Sequence, residues 1–191
     1  MRHRDRGVTA LAMACACLLP GTAARASEAP APPDWGYSAD GTQVLHLSAR
    51  AVWSRCVEGM RWDGRHCVGE ALRLDHASAL ALARKRTEAD GLAWRLPQVK
   101  ELQHLLEVNA NASAGFLPAP PAGWCWTGTA PINTASFNAY SYGNVMRGLT
   151  AQNTTQVRFL HAWAVDLGTG EARDDALKRS QLLVRLVATL E

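Results

Sequence analysis

The sequence predicts an α+β domain, on three observations. Residues 94–96 (Trp94, Arg95, Leu96) form a short apolar strand that runs through Pro97 directly into a helical pattern, with Val99, Leu102, Leu105 and Leu106 on one stripe. A second helical pattern precedes it, with Ala79, Leu80, Leu82 and Ala83 inward. Alternating or continuous apolar runs at 43–48, 161–167 and 182–190 read as strands, so the helices are embedded among short β elements.

The ends of the chain bound the compartment. Residues 1–26 read as a secretory signal: Arg2, Arg4 and Arg6 lead, an Ala/Leu-rich apolar run follows, and Ala24-Arg25-Ala26 supplies the cleavage site. The apolar run is shorter than the roughly 20 residues that span a bilayer. The residues before Cys15 and Cys17 lack the Leu of a lipobox, so an ordinary signal is expected, with no transmembrane segment after cleavage. Residues 1–26 hold four Arg and one Asp of the chain's 20 basic and 17 acidic residues, so their removal leaves a net charge of zero. A neutral chain offers no bulk attraction for nucleic acid or membrane, and no nucleic-acid partner is expected. Residues 27–43 read as a Pro/Ala-rich flexible leader, with the ordered part expected to begin near Trp35 or Val44, and residues 44–191 as one domain.

Along the chain, the stretch 53–69 carries Cys56 and Cys67 across turns at Gly59 and Asp63-Gly64. In an exported protein the two cysteines are expected to form a disulfide, which stabilises such a short ring by about 3 kcal/mol. A metal site is not expected, because only His66 stands beside them and paired ligand spacing is missing. Asp75 is placed to cap the first helix, Arg84, Lys85 and Arg86 to face solvent near its end, and Gly91 to stop it. Gln98 occupies the cap of the second helix, with Glu101 three residues on, and His104 lies off the apolar stripe at the surface. Residues 123–127 read as a buried strand. Residues 128–156 form a long polar stretch with Asn133, Asn138, Tyr140, Tyr142 and Asn144, the composition of an adaptable binding loop. A hairpin turning at 168–170 and the closing run 182–190 complete the chain.

The order Trp-Ser-Arg-Cys with Gly-x-x-Trp-x-Gly-x-x-Cys (53–67), Trp-Arg-Leu-Pro-x-x-x-Glu-Leu (94–102), Trp-x-Thr-Gly-Thr, the Ala-Trp-x-Val hairpin (162–168) and Val-Arg-x-Val (184–187) resembles the Lcl C-terminal domain family, over roughly residues 50–188. That family is named after a bacterial collagen-like adhesin. The resemblance implies a C-type-lectin-like fold, akin to the formylglycine-generating group: two helices packed on a small, twisted, mostly antiparallel sheet, with a long irregular loop region. Trp94, Arg95, Leu96, Pro97 and Glu101 are its structural motif. It also implies adhesion, since the best characterised relative binds sulfated polysaccharides. Departures are Leu186 and Ala188 where the family often has Cys and Arg, which removes a second disulfide, and Gln98 in place of a Thr cap.

Chemistry is harder to place. Cys125 can be combined on paper with His46, His66, His76, His104 or His161, but no spacing singles out a nucleophile and its base, so no catalytic residue and no enzyme is expected. The oxidase chemistry of the formylglycine-generating relatives needs paired cysteines that are not present here. Calcium lectin motifs are absent and residues 128–156 hold no carboxylate, so no metal and no cofactor is expected. Of the seven tryptophans, those at 53, 94, 124, 126 and 163 are expected in the core, and Trp35 and Trp62 nearer the surface. The expectation is a non-enzymatic exported module, periplasmic or at the surface of a bacterium, that binds a polysaccharide or protein through 128–156. The alternative is a subunit of an envelope assembly.

Overall fold

A computed structural model describes residues 31–112, 115–130 and 159–190. The strands are β1 (Trp35–Tyr37), β2 (Gln43–His46), β3 (Ala51–Ser54), β4 (Arg61–Trp62), β5 (Cys67–Val68) and β6 (Arg73–Leu74), followed by helix α1 (His76–Asp90). Next come β7 (Ala93–Arg95), helix α2 (Val99–Asn111), β8 (Trp124–Trp126), β9 (His161–Asp166), β10 (Ala172–Leu177), β11 (Leu182–Leu183) and β12 (Val187–Thr189). One antiparallel sheet has the order β1-β2-β3-β12-β7, and a second has β10-β9-β8-β11-β6, in which only β11 and β8 run parallel. A small hairpin, β4-β5, stands apart. The α+β class is therefore as expected.

The closing run 182–190 is not one strand. It pairs as β11 in the second sheet, crosses over through 184–186, and pairs as β12 in the first. At the crossing, Val184 O accepts from Glu58 N (2.8 Å) and Leu186 O accepts from Ser54 N (3.1 Å), which satisfies backbone groups that leave one ladder before joining the next. The run is apolar on both faces because the helices cover opposite sides. Leu183 and Val187 pack with Leu102 and Leu105 of α2. Leu182, Val184, Leu186 and Ala188 pack with Ala79 and Ala83 of α1. Alternation is lost where neither face meets water.

Asp75 caps α1 by accepting from Ser78 N (2.7 Å), and Gly91 ends it in the left-handed conformation, φ 78°. Only Ala79 and Ala83 of α1 are buried, so this helix lies close on the sheet through small residues, and Leu80, expected inward, is exposed. Within the basic cluster Arg84 and Lys85 are exposed, as expected, and Arg86 differs. The last turn of α1 carries no basic residue, and Arg86 turns back over the Trp94 ring, 4.1 Å from its centroid, to reach Glu58.

Of the two expected starts of the ordered part, strand β1 lies at the earlier one, Trp35. Trp35, inside the stretch assigned to the leader and expected near the surface, is 8% exposed, stacked on His46 (4.1 Å) and tilted against Phe116 (5.1 Å). Burying that indole anchors β1 to the sheet edge. Trp53, Trp94 and Trp126 are buried, whereas Trp62, Trp124 and Trp163 are half-buried. The Cys56–Cys67 disulfide is present, joining the end of β3 to the small hairpin.

Candidate functional site

The motif 94–101 builds a platform. Arg95 donates from Nη1 and Nη2 to the two carboxylate oxygens of Glu101 (2.8 and 2.7 Å), and the same carboxylate accepts from Gln98 N (2.7 Å). Burial acts to raise the Glu101 pKa, but the Arg95 hydrogen bonds, the Gln98 amide and the Arg95 charge outweigh it and hold the carboxyl below its ordinary value. Thr129, from beyond the end of β8, supplies the second half of the cap. Its Oγ1 accepts from Val99 N (2.8 Å) and donates to Gln98 Oε1 (2.9 Å). Gly128 N donates to Pro97 O (2.8 Å), and a Cβ at Gly128 would stand 2.9 Å from Leu96 O, so only glycine lets the two segments approach this closely. Leu96 and Pro97 are buried beneath this contact, while Trp94 Nε1 donates to the Asp90 carboxylate (2.7 and 2.8 Å).

From this platform the chain leaves for 131–158 and returns at Phe159 and Leu160, which are exposed. The stems are tied together: Thr127 N and Oγ1 both donate to Trp163 O (3.1 and 3.0 Å), and Lys178 N donates to Leu160 O (2.7 Å). The binding candidates Asn133, Asn138, Tyr140, Tyr142 and Asn144 lie outside the described residues, so only their mounting is on view.

A second feature was missed by sequence reasoning. A cleft of about 200 Å3 is lined by Thr42, Ser54, Cys56, Glu58, Met60, Arg61, Trp62 and Arg86. Arg86 Nη1 donates to Glu58 Oε1 (2.6 Å) and Ser54 Oγ (2.9 Å), and Ser54 Oγ donates to Glu58 Oε1 (3.1 Å). Arg55 lies behind it, over the rings of Trp62 (3.6 Å) and Tyr37 (4.3 Å), and donates to Gly41 O (3.1 Å). Arg185 is 3% exposed and donates to Ser54 O (3.4 Å); burial pushes its pKa down to about 10. Arg185 carried a signal, being a lone charge in the apolar run 182–188. Arg86 carried none, because its partner Glu58 is 28 residues away.

Burial pushes the Cys125 thiol up to about 12, and its Sγ donates to Trp126 O (3.6 Å). Asp34, His46 and Ser48 lie together, but His46 Nε2 faces both Asp34 Oδ2 (3.2 Å) and Ser48 Oγ (3.3 Å), and Ser48 Oγ donates to Asp34. A relay uses the two ring nitrogens separately. Here one nitrogen faces both, which makes the trio a clasp between the start of β1 and the end of β2. His104 joins its aromatic side, 5.6 Å from the His46 ring. His76 packs edge-on against Trp126 (5.2 Å), and burial lowers its pKa.

The family model described as Lcl C-terminal domain matches residues 42–188. The chain belongs to the Lcl C-terminal domain family. No curated protein matches it. In this Lcl C-terminal domain, the Arg-Leu-Pro-x-x-x-Glu motif and the Thr-Gly-Thr motif are one structural unit, since the second caps the helix opened by the first. Among the described residues no group of three metal-capable side chains occurs, and no helix is long and apolar enough to cross a membrane.

Proposed function

We propose that the protein is an exported, non-enzymatic binding or adhesion module that recognises an extracellular or envelope polysaccharide, or a protein, through residues 128–156. The observation that carries this reading is the mounting of that stretch. A long Tyr/Asn/Ser-rich segment leaves and re-enters through neighbouring strands, β8 and β9, whose stems are tied to each other and to the capped start of α2. Variable chemistry on a rigid support is how recognition loops are built. Family membership, the signal-like residues 1–26 and the inaccessible Cys125 thiol support the same reading. The lectin-like fold label belongs to this proposal too.

A glycan array and a heparin column, run on oxidised chain 27–191, test it. The expected result is a specific hit that survives moderate salt and is lost in Tyr140→Ala with Tyr142→Ala. Binding that persists after residues 131–156 are replaced by a short linker, in a protein that still folds, overturns the site. The second reading, a subunit of an envelope assembly, is favoured by Phe159 and Leu160, which are 70% and 59% exposed at the loop exit. Concentration-dependent sedimentation abolished by Phe159→Ser would select it.

A further inference from the structure

We propose that the cleft between β3, the β4-β5 hairpin and α1 binds one uncharged sugar ring, a hexopyranose, seated on the Trp62 indole. The charges at the cleft are largely matched among themselves. Arg86 is held by Glu58 (2.6 Å) and reaches toward Asp90 (3.8 Å), and the lining Thr42 is bonded to the Asp40 carboxylate (2.7 Å). Of the lining cations, Arg61 makes no side-chain hydrogen bond or ion pair among the described residues, and it is exposed. One exposed cation beside a carboxylate in the same lining leaves no strong local field to select a charged ligand.

The open hydrogen-bonding groups narrow the ligand. Both hydrogen bonds to the Glu58 side chain, from Arg86 and Ser54, end on Oε1, so Oε2 is an acceptor without a partner among the described residues. The Trp62 Nε1–H likewise has no acceptor there. Neither atom is among the buried unpartnered ones, so solvent reaches both. An anionic group would meet Oε2 with no proton to give, and an ammonium would meet the indole N–H with no lone pair. A hydroxyl donates and accepts at one atom, and so satisfies both kinds of group.

Shape and size supply the rest. Arg55 covers one face of the Trp62 ring (3.6 Å) and does not line the cleft, so the cleft meets the part of the indole that Arg55 leaves open. Met60 and Cys56 add apolar surface to the same wall. A pyranose divides in the matching way, with C–H groups on its faces and hydroxyls around its edge, and an aromatic ring offers those faces a flat apolar support. A cleft of about 200 Å3 is smaller than the roughly 300 Å3 lower bound of drug-sized sites, so it takes a single ring or the end unit of something larger. The cleft is also separate from the loop platform. Arg86 sits ten residues along α1 from His76, about 15 Å of helix, and it is His76 that packs against Trp126 beside the loop stem. The inference therefore stands whether or not residues 128–156 bind a ligand.

The test is a titration of the purified, oxidised chain 27–191 with the methyl pyranosides of glucose, galactose and mannose. It is followed by the Trp62 indole N–H and Met60 methyl resonances, the first assigned by its loss in Trp62→Phe. The expected result is a saturable shift of both resonances with at least one glycoside, with a midpoint that moves less than about twofold when about 0.5 M NaCl is added, since an uncharged ligand is not screened. Trp62→Phe keeps a flat ring but removes the N–H donor, and is expected to weaken the glycoside about fivefold by the Met60 signal. Tyr140→Ala with Tyr142→Ala is expected to leave the midpoint unchanged, which separates this site from the loop. No saturable shift with any of the three up to about 100 mM would overturn the assignment. So would benzoate or benzamide binding as tightly as the best glycoside, an unaffected Trp62→Phe, or loss of binding in the double tyrosine variant.

Discussion

Glu101→Ala removes three hydrogen bonds at once, the Arg95 pair and the one from Gln98 N. The lost support at the helix N-terminus costs about 1 kcal/mol. The bidentate ion pair is about two-fifths exposed on the Arg95 side and one-third on the Glu101 side, so solvent screening holds its contribution to about 1 kcal/mol. Together the expected destabilisation is about 2 kcal/mol, a drop in Tm of about 4–8 °C for a domain of this size. Urea denaturation followed by circular dichroism measures it. The folded-state pKa of Glu101 lies below its ordinary value of 4.5, so its contribution is fully present above that value and is lost as pH falls through the folded pKa. The gap between wild type and variant should therefore hold from neutral pH down to about 4.5 and narrow only as the pH falls below that value. A destabilisation below about 0.5 kcal/mol at neutral pH, or a gap that does not narrow in acid, would refute the argument that this carboxylate is the hub of the motif.

Three further outcomes follow from the same geometry. Replacing Cys56 and Cys67 together with Ser opens an 11-residue separation and should cost about 3 kcal/mol, read as a lower urea midpoint with little change in far-ultraviolet circular dichroism before unfolding. With its thiol pushed up to about 12 and fully buried, Cys125 in chain 27–191 should resist iodoacetamide in the native state and react as one thiol per chain in denaturant; ready alkylation of native protein would contradict this. Gly59 has φ 89°, and a Cβ there would stand 2.5 Å from Glu70 O and 2.6 Å from Leu72 N, so Gly59→Ala should lower stability by more than about 2 kcal/mol in thermal melts.

The elements of the fold were legible where local chemistry decides them. Asp75 and Gly91 bracket α1 by capping, Pro97 and Glu101 open α2, and two turns bring Cys56 to Cys67. Legibility failed where two distant segments share a group. Trp35 looked like a surface residue because nothing near it in sequence explains its burial; His46 and Phe116 do. Arg86 looked like a solvated charge at a helix end because Glu58 lies in another element. Leu80 looked inward by periodicity, yet α1 packs on the core through Ala79 and Ala83, with Leu82 half-buried beside them.

By itself the sequence determined the α+β class, the disulfide, the capped helices and the family, because each of these is written in residues a few positions apart. The tertiary structure alone decided that the closing run 182–190 divides between two sheets, since an unbroken apolar stretch reads the same whether one sheet or two receives it. It alone decided that Thr129 caps α2 across 30 positions. It alone brought Arg86 to Glu58 and Ser54, because such a pairing depends on which elements the sheets bring side by side, and no local pattern encodes that adjacency.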